Sequence, residues 1–236
     1  MTATIPLLLL PGLLTDARLF GHQVQALSGV ARSIVADFSA GESIADLARA
    51  ALAQAPPGPL ALAGLSMGGY VALEIVRREP GRIRALALLN TNARADSPES
   101  TQNRQRLMAL ADRDFEAVLQ ALMPKLVHPD HLSDAALTGL LADMGRSLGA
   151  TIFRRHQAAI IGRVDCRPHL AAITCPTLVV AGREDAIMPM EASEEMANAI
   201  PGARLEVIER CGHVSTLEQP EAATSLLHAW MKRASG

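Results

Sequence analysis

Apolar residues follow two rhythms along this chain. Residues 5–10, "LALAGL", "IRALALLN" and "CPTLVVAG" are short apolar runs with little or no polar alternation. Strands buried on both faces of a sheet have this pattern. "ARSIVAD" and "ARLEVIE" predict two further strands, the first ending near Asp37. Between the strands the spacing turns helical. Residues 20–28 predict a short helix. In "SIADLARAALAQ", Ile44, Leu47, Ala48, Ala51 and Leu52 share one face behind a Ser43 N-cap. A helix is predicted from Ser66 to about Glu79, where Pro80-Gly81 ends it. Others are predicted over "MEASEEMANAI" and after Pro220. Strands alternating with helices predict a parallel sheet covered on both faces.

The alternation stops between Ser97 and Asp165. Ser97-Pro98 opens a helix, "FEAVLQALM" is a second stopped by Pro124, Ser133 caps a third through Gly149, and "TIFRRHQAAII" is a fourth ended by Gly162. The organisation predicted is an α/β core of residues 1–96 and 166–236, mostly parallel with helices on both faces. A helical cap is inserted at 97–165.

Composition narrows the class. The chain has 236 residues, 49% of them apolar but only 3% aromatic, so its core is built mostly from Ala, Leu, Val and Ile. A net charge of −2 with no basic block provides no footprint for nucleic acid or anionic membrane. Three cysteines, Cys166, Cys175 and Cys211, with no C-x-x-C, argue against a disulfide framework or zinc site. "IPLLLLPGLL" is broken by Pro11-Gly12 far short of a membrane span. A cytoplasmic protein that uses no metal or organic cofactor is expected.

Between a buried strand and a helix lies Gly64-Leu65-Ser66-Met67-Gly68. A very tight strand-to-helix turn strains its central residue and needs small neighbours two positions away. Gly64 and Gly68 meet that need. The turn lifts Ser66 out of the sheet at a helix N-terminus and frees the Met67 N–H to face an oxyanion. A glycine-rich packing turn is the plain alternative. A P-loop is excluded because no Gly-Lys-Ser/Thr follows. A serine hydroxyl needs a base, and the base an orienting acid. The loops leaving two later strands offer both: Arg183-Glu184-Asp185, then Arg210-Cys211-Gly212-His213. Glu184 competes with Asp185 for the acid role, and Asp185 fits the motif spacing better.

"LLLLPGLLTDARLF", "GLSMGGYVALE", "PTLVVAGREDAIMP" and "IPGARLEVIERCGHVSTLEQPE" together resemble the landmark segments of the α/β-hydrolase superfamily, in its small bacterial esterase and lactonase-like members with a helical cap. The likeness spans nearly the whole chain. It implies a G-x-S-x-G nucleophile elbow at Ser66 and the chain order serine, acid, histidine. A second oxyanion donor is implied in the loop after the first strand, where the Leu13 N–H is the choice. Pro11 stands where the family usually has histidine, and Asp37-Phe38-Ser39-Ala40-Gly41-Glu42-Ser43 replaces its usual Asp-x-x-Gly-x-Gly-x-Ser.

The expected activity is cleavage of a carboxylic ester, lactone or thioester, and the expected partner is a small-molecule substrate whose acyl or alcohol part is small or medium and largely apolar. The same triad serves carbon–carbon bond hydrolases, but Val214 follows His213 where those commonly carry an aromatic. A catalytically idle small-ligand receptor is the alternative from another class. His128-Pro129-Asp130-His131 reads better as an interhelical loop than as a metal site. His156 reads as a satisfied histidine under the cap, Cys211 as packing, and Met188 and Met190 as pocket or helix packing. Arg154, Arg155 and Arg163 are either solvated or paired with an acidic substrate.

Overall fold

A computed structural model describes residues 5–234; the outermost predicted core positions, 1–4 and 235–236, lie outside that range. Six strands form one sheet: β1 (Leu7–Leu10), β2 (Ser33–Val35), β3 (Leu60–Leu65), β4 (Ile83–Leu89), β5 (Thr177–Gly182) and β6 (Arg204–Ile208). Their order is β2-β1-β3-β4-β5-β6, and every neighbouring pair is parallel. The helices, in chain order, are α1 (Gly21–Ala26), α2 (Ile44–Gln54), α3 (Met67–Arg78), α4 (Pro98–Ala111), α5 (Phe115–Leu126), α6 (Ala135–Ile161), α7 (Met190–Ala199), α8 (Ser215–Glu218) and α9 (Pro220–Ala234).

The unbroken apolar runs have a direct structural cause. Successive side chains on a strand point to opposite faces, so each run supplies two cores at once. Leu8, Leu10, Leu62, Leu86, Leu88 and Val179 pack on one side with residues of α2, α3 and α7. Leu7, Leu9, Ala61, Ala63, Ala85, Ala87 and Val180 pack on the other with Phe20 and with Leu227 and Trp230 of α9. With both faces covered, no strand position on the central strands can be polar without a partner.

Between β4 and β5 lie α4, α5 and α6 and no strand. These helices share a small core of their own, Ala111, Val118, Leu119 and Phe153, which Leu14 joins from the loop after β1. Helix boundaries here depart from expectation. The long helix is capped by Asp134 rather than Ser133, because the Asp134 carboxylate accepts from the Ala136 and Leu137 N–H groups. The third and fourth predicted helices run on as α6, bent at Gly149 with φ 76°. Helix α5 continues through Pro124 to Leu126. A proline so close to the C-terminal end costs less than one in a helix interior, since few turns follow it. The short α8 was not predicted.

His156 on α6 is fully buried, and its Nε2–H donates to the Phe38 carbonyl at 2.8 Å. This bond ties α6 to the loop after β2. Its Nδ1 has no partner, so the ring is half satisfied rather than fully. Burial lowers its pKa below the ordinary 6.5, against the opposing pull of the Phe38 bond. The unfolded chain therefore binds a proton that the folded chain refuses, and stability falls as pH drops below 6.5 towards the folded value. The His156→Gln variant can keep the donor to Phe38 but cannot titrate. Melting curves at neutral and mildly acidic pH are expected to show a smaller acid loss in His156→Gln than in the wild type. In a chain of this size each kcal/mol of linkage moves Tm by about 2–4 °C. Equal losses in both proteins would remove His156 from the account.

Candidate active site

Ser66 occupies the turn from β3 into α3 with φ 55° and ψ −116°, a backbone conformation that side chains disfavour. The surrounding structure holds it there. The Ser66 N–H donates to the Leu89 carbonyl at 3.0 Å, and the Thr91 hydroxyl donates to the Ser66 carbonyl at 2.8 Å. The flanking glycines are needed for space. A Cβ on Gly64 would lie 2.2 Å from the Gly68 carbonyl oxygen, and one on Gly68 would lie 1.9 Å from the Leu10 carbonyl oxygen. The serine is the one partly exposed residue in an otherwise buried stretch from Ala61 to Tyr70.

Gly12, in the loop after β1, packs against this turn: a Cβ there would stand 3.4 Å from Ser66 Cβ. Next to it, the Leu13 N–H donates to no acceptor among the described residues, and neither does the Met67 N–H at the start of α3. One N–H adjoins Ser66 in the chain and the other adjoins Gly12, which packs on it, so both are available to a negative oxygen at the serine.

Asp185 follows β5 and His213 follows β6, so both leave the sheet at the same edge as Ser66. His213 Nδ1 donates to Asp185 Oδ2 at 2.8 Å, with both side chains nearly sealed from water. Asp185 Oδ1 also accepts from the Ile187 and Met188 N–H groups, at 2.8 and 2.9 Å. Burial pushes the Asp185 carboxyl up, but the charge and bond of His213 and the donors from Met188 and Asn90 outweigh it. The net pKa is lowered, and the group is ionised at neutral pH. Glu184 points elsewhere, accepting from the Cys211 N–H at 3.0 Å. Ser66 and His213 line one cavity of about 410 Å³, with no hydrogen bond between them. Catalytic bonds of this kind are commonly loose before substrate binds.

Asn90 was missed by the sequence reading. Fully buried at the end of β4, with φ 47°, it donates from Nδ2 to Asp185 Oδ2 at 3.0 Å and to the Gly212 carbonyl at 3.1 Å. Its Oδ1 accepts from the Ser215 hydroxyl at 2.6 Å. One amide thus clamps the acid, the loop of the histidine and α8. The available signal was a lone polar residue ending an apolar strand.

The weaker candidates find structural employment. His131 Nδ1 bonds Glu218 at 3.0 Å, and the His128 N–H donates to the same carboxylate. Cys211 is fully buried, and burial pushes its thiol well above the usual range. Arg154 pairs at the surface with Asp112, and Arg155 is exposed. Met188 lines the cavity, as does Arg163. Beside leucines, the cavity is lined by four cationic residues, Arg94, Arg104, Lys125 and Arg163, and by one acid, Asp96. A largely apolar substrate would leave these unused.

The alpha/beta hydrolase family model matches residues 7–225. A pimeloyl-(acyl-carrier protein) methyl ester esterase of Neisseria meningitidis is 31% identical over 191 residues, which cover 77% of this chain and 73% of the relative. Among solved structures, a thermophilic esterase from Thermogutta terrifontis superposes with a TM-score of 0.90 at 28% identity, covering 98% of this chain and 91% of the other. An enol-lactonase from Burkholderia xenovorans superposes with a TM-score of 0.87 at 25% identity, over 97% and 92% of the two chains.

Proposed function

The chain belongs to the alpha/beta hydrolase family, and from that premise we propose that it is a serine hydrolase cleaving carboxylic esters or lactones through an acyl-enzyme. The observation that carries this reading is the buried 2.8 Å bond from His213 to Asp185, on a cavity that Ser66 shares. The esterase and lactonase relatives point to the same bond type. Thioesters remain within reach of the same chemistry.

Ser66 Oγ attacks the acyl carbon while His213 Nε2 takes its proton. Asp185 holds the imidazole with Nδ1 protonated and stabilises the imidazolium that forms. The carbonyl oxygen becomes an oxyanion between the Leu13 and Met67 N–H groups. As the intermediate collapses, His213 returns the proton to the leaving alkoxide and the alcohol departs. A water then gives His213 a proton and attacks the acyl-enzyme, and collapse releases the acid and restores Ser66. Helices α4 to α6 serve as the cap that closes this cavity from above, the role assigned to residues 97–165.

A fluorophosphonate probe is expected to label Ser66 rapidly, and methyl or p-nitrophenyl esters to be turned over. Absence of labelling, with measurable binding of a small ligand, would make the protein a receptor on a hydrolase scaffold instead.

A further inference from the structure

The cavity holds charge that ester cleavage does not use. Arg104 on α4 and Arg163 just beyond α6 share one carboxylate. Arg104 Nε donates to Asp96 Oδ1 at 3.1 Å, and Arg163 Nη1 donates to the same oxygen at 2.7 Å. The Thr101 hydroxyl occupies Asp96 Oδ2 at 2.8 Å. Burial pushes the Asp96 carboxyl up, but these arginines and Thr101 outweigh it, so its pKa is lowered and it stays ionised. Two guanidinium groups thus face one negative charge. Little of this cluster meets water: the side chains of Asp96, Arg163 and Arg104 are 1%, 7% and 17% exposed.

Nothing else in the cavity closes the balance. Asp96 is the only acidic side chain lining it among the described residues. Arg94 is committed to Glu195, which does not line the cavity. Lys125, exposed at the cavity, adds the same sign. The remaining bonds of the two arginines are to neutral groups. Arg104 Nη1 reaches Gln157 Oε1, and Arg163 reaches the carbonyls of Arg94 and Ile160. The Arg163 guanidinium also stacks 4.4 Å from the centre of the Tyr70 ring. Each arginine keeps one group, Nη2, with no acceptor among the described residues, and neither is sealed from the cavity or solvent.

A half-compensated buried cation is costly to hold, and its charge is satisfied when a ligand brings the missing anion. We infer that the substrate carries a carboxylate, bound by the free Nη2 groups of Arg104 and Arg163, so that the preferred substrates are half-esters of dicarboxylic acids or lactones bearing a carboxylate. Within the buried cluster the deficit is one unit of charge, Lys125 being exposed to water, which suits a carboxylate better than a phosphate dianion. Guanidinium N–H groups also match carboxylate geometry. This inference rests on Ser66 acting as the ester-cleaving nucleophile.

The test compares monomethyl esters of linear dicarboxylic acids with the same esters carrying a terminal carboxamide in place of the free carboxylate, over a series of chain lengths. At the best length the wild type is expected to favour the carboxylate in kcat/KM by about tenfold or more, the scale of a hydrogen bond to a charged group. Arg104→Gln and Arg163→Gln should lower kcat/KM for the half-ester more than for the amide, so that the preference collapses. Without any substitution, the free dicarboxylate of best length should inhibit amide-ester turnover competitively, and the effect should weaken with added salt. If the wild type cleaves the amide esters as well as the half-esters at every length while a fluorophosphonate labels Ser66, the carboxylate inference falls and the hydrolase reading stands. If neither ester is cleaved and Ser66 is not labelled, the hydrolase reading falls and takes the inference with it.

Discussion

Ser66→Ala is expected to lower kcat by about 10⁴-fold or more with the fold and its melting temperature essentially unchanged. The activity loss follows from chemistry: no other hydroxyl stands in the elbow, and without an acyl-enzyme only the oxyanion donors and binding remain to accelerate attack by water. The unchanged stability follows from structure. Ser66 Oγ makes no hydrogen bond among the described residues, and alanine keeps the Cβ that packs against Gly12. The positive φ of 55° is shared by both residues, so strain is the same in each. Ser66→Gly makes a useful companion. It should be equally inactive, yet no less stable than Ser66→Ala, because glycine relieves a backbone strain of about 1–3 kcal/mol at an entropic cost of about 0.5–1 kcal/mol. Ester hydrolysis and thermal melts on the three proteins check both halves. Full esterase activity in Ser66→Ala would end the serine mechanism.

What the chain discloses in advance depends on how local the cause is. The strands are readable because each run of leucine, alanine and valine feeds two cores, so a whole stretch is apolar for one reason. The elbow is readable because its constraints act within five residues. Gly64 and Gly68 have no room for a side chain, and the serine is the exception between them. Asp185 and Glu184 stand side by side in the sequence, where spacing alone favours Asp185. Which one aims at His213 is decided by the turn that the Ile187 and Met188 N–H groups close on Asp185 Oδ1. Asn90 and the Asp96 cluster are less legible still. Asn90 matters through contacts with residues 185, 212 and 215, and Asp96 joins Arg104 to Arg163 across the helices after β4. Such long-range polar contacts leave no periodic trace. Ser133 and Asp134 illustrate the same limit at short range, since either can cap a helix and only the geometry selects the second.

Asp185→Asn is expected to lower kcat by about 10⁴-fold, nearly as much as loss of the nucleophile, and the hydrogen bonds around it explain why an isosteric change is so costly. The carboxylate accepts at both oxygens: Oδ1 from the Ile187 and Met188 N–H groups, Oδ2 from His213 Nδ1 and Asn90 Nδ2. An asparagine must present its NH₂ to one of these pairs. Facing Oδ1's partners, it meets two backbone donors that cannot turn away. Facing Oδ2's partners, it meets an imidazole that can move its proton from Nδ1 to Nε2 and accept instead. Asn90 resists turning, because its Nδ2 is also held by the Gly212 carbonyl and its Oδ1 by Ser215. The second arrangement relieves the conflict at least expense, and it leaves Nε2 protonated and unable to take the Ser66 proton. The lesion is therefore a wrong tautomer in a folded enzyme rather than a collapsed site. Normal melting, slow fluorophosphonate labelling of Ser66 and a depressed kcat should appear together. A folded Asp185→Asn protein with the wild-type kcat would mean that Asp185 does not orient the base, and would return Glu184 to consideration despite its bond to Cys211.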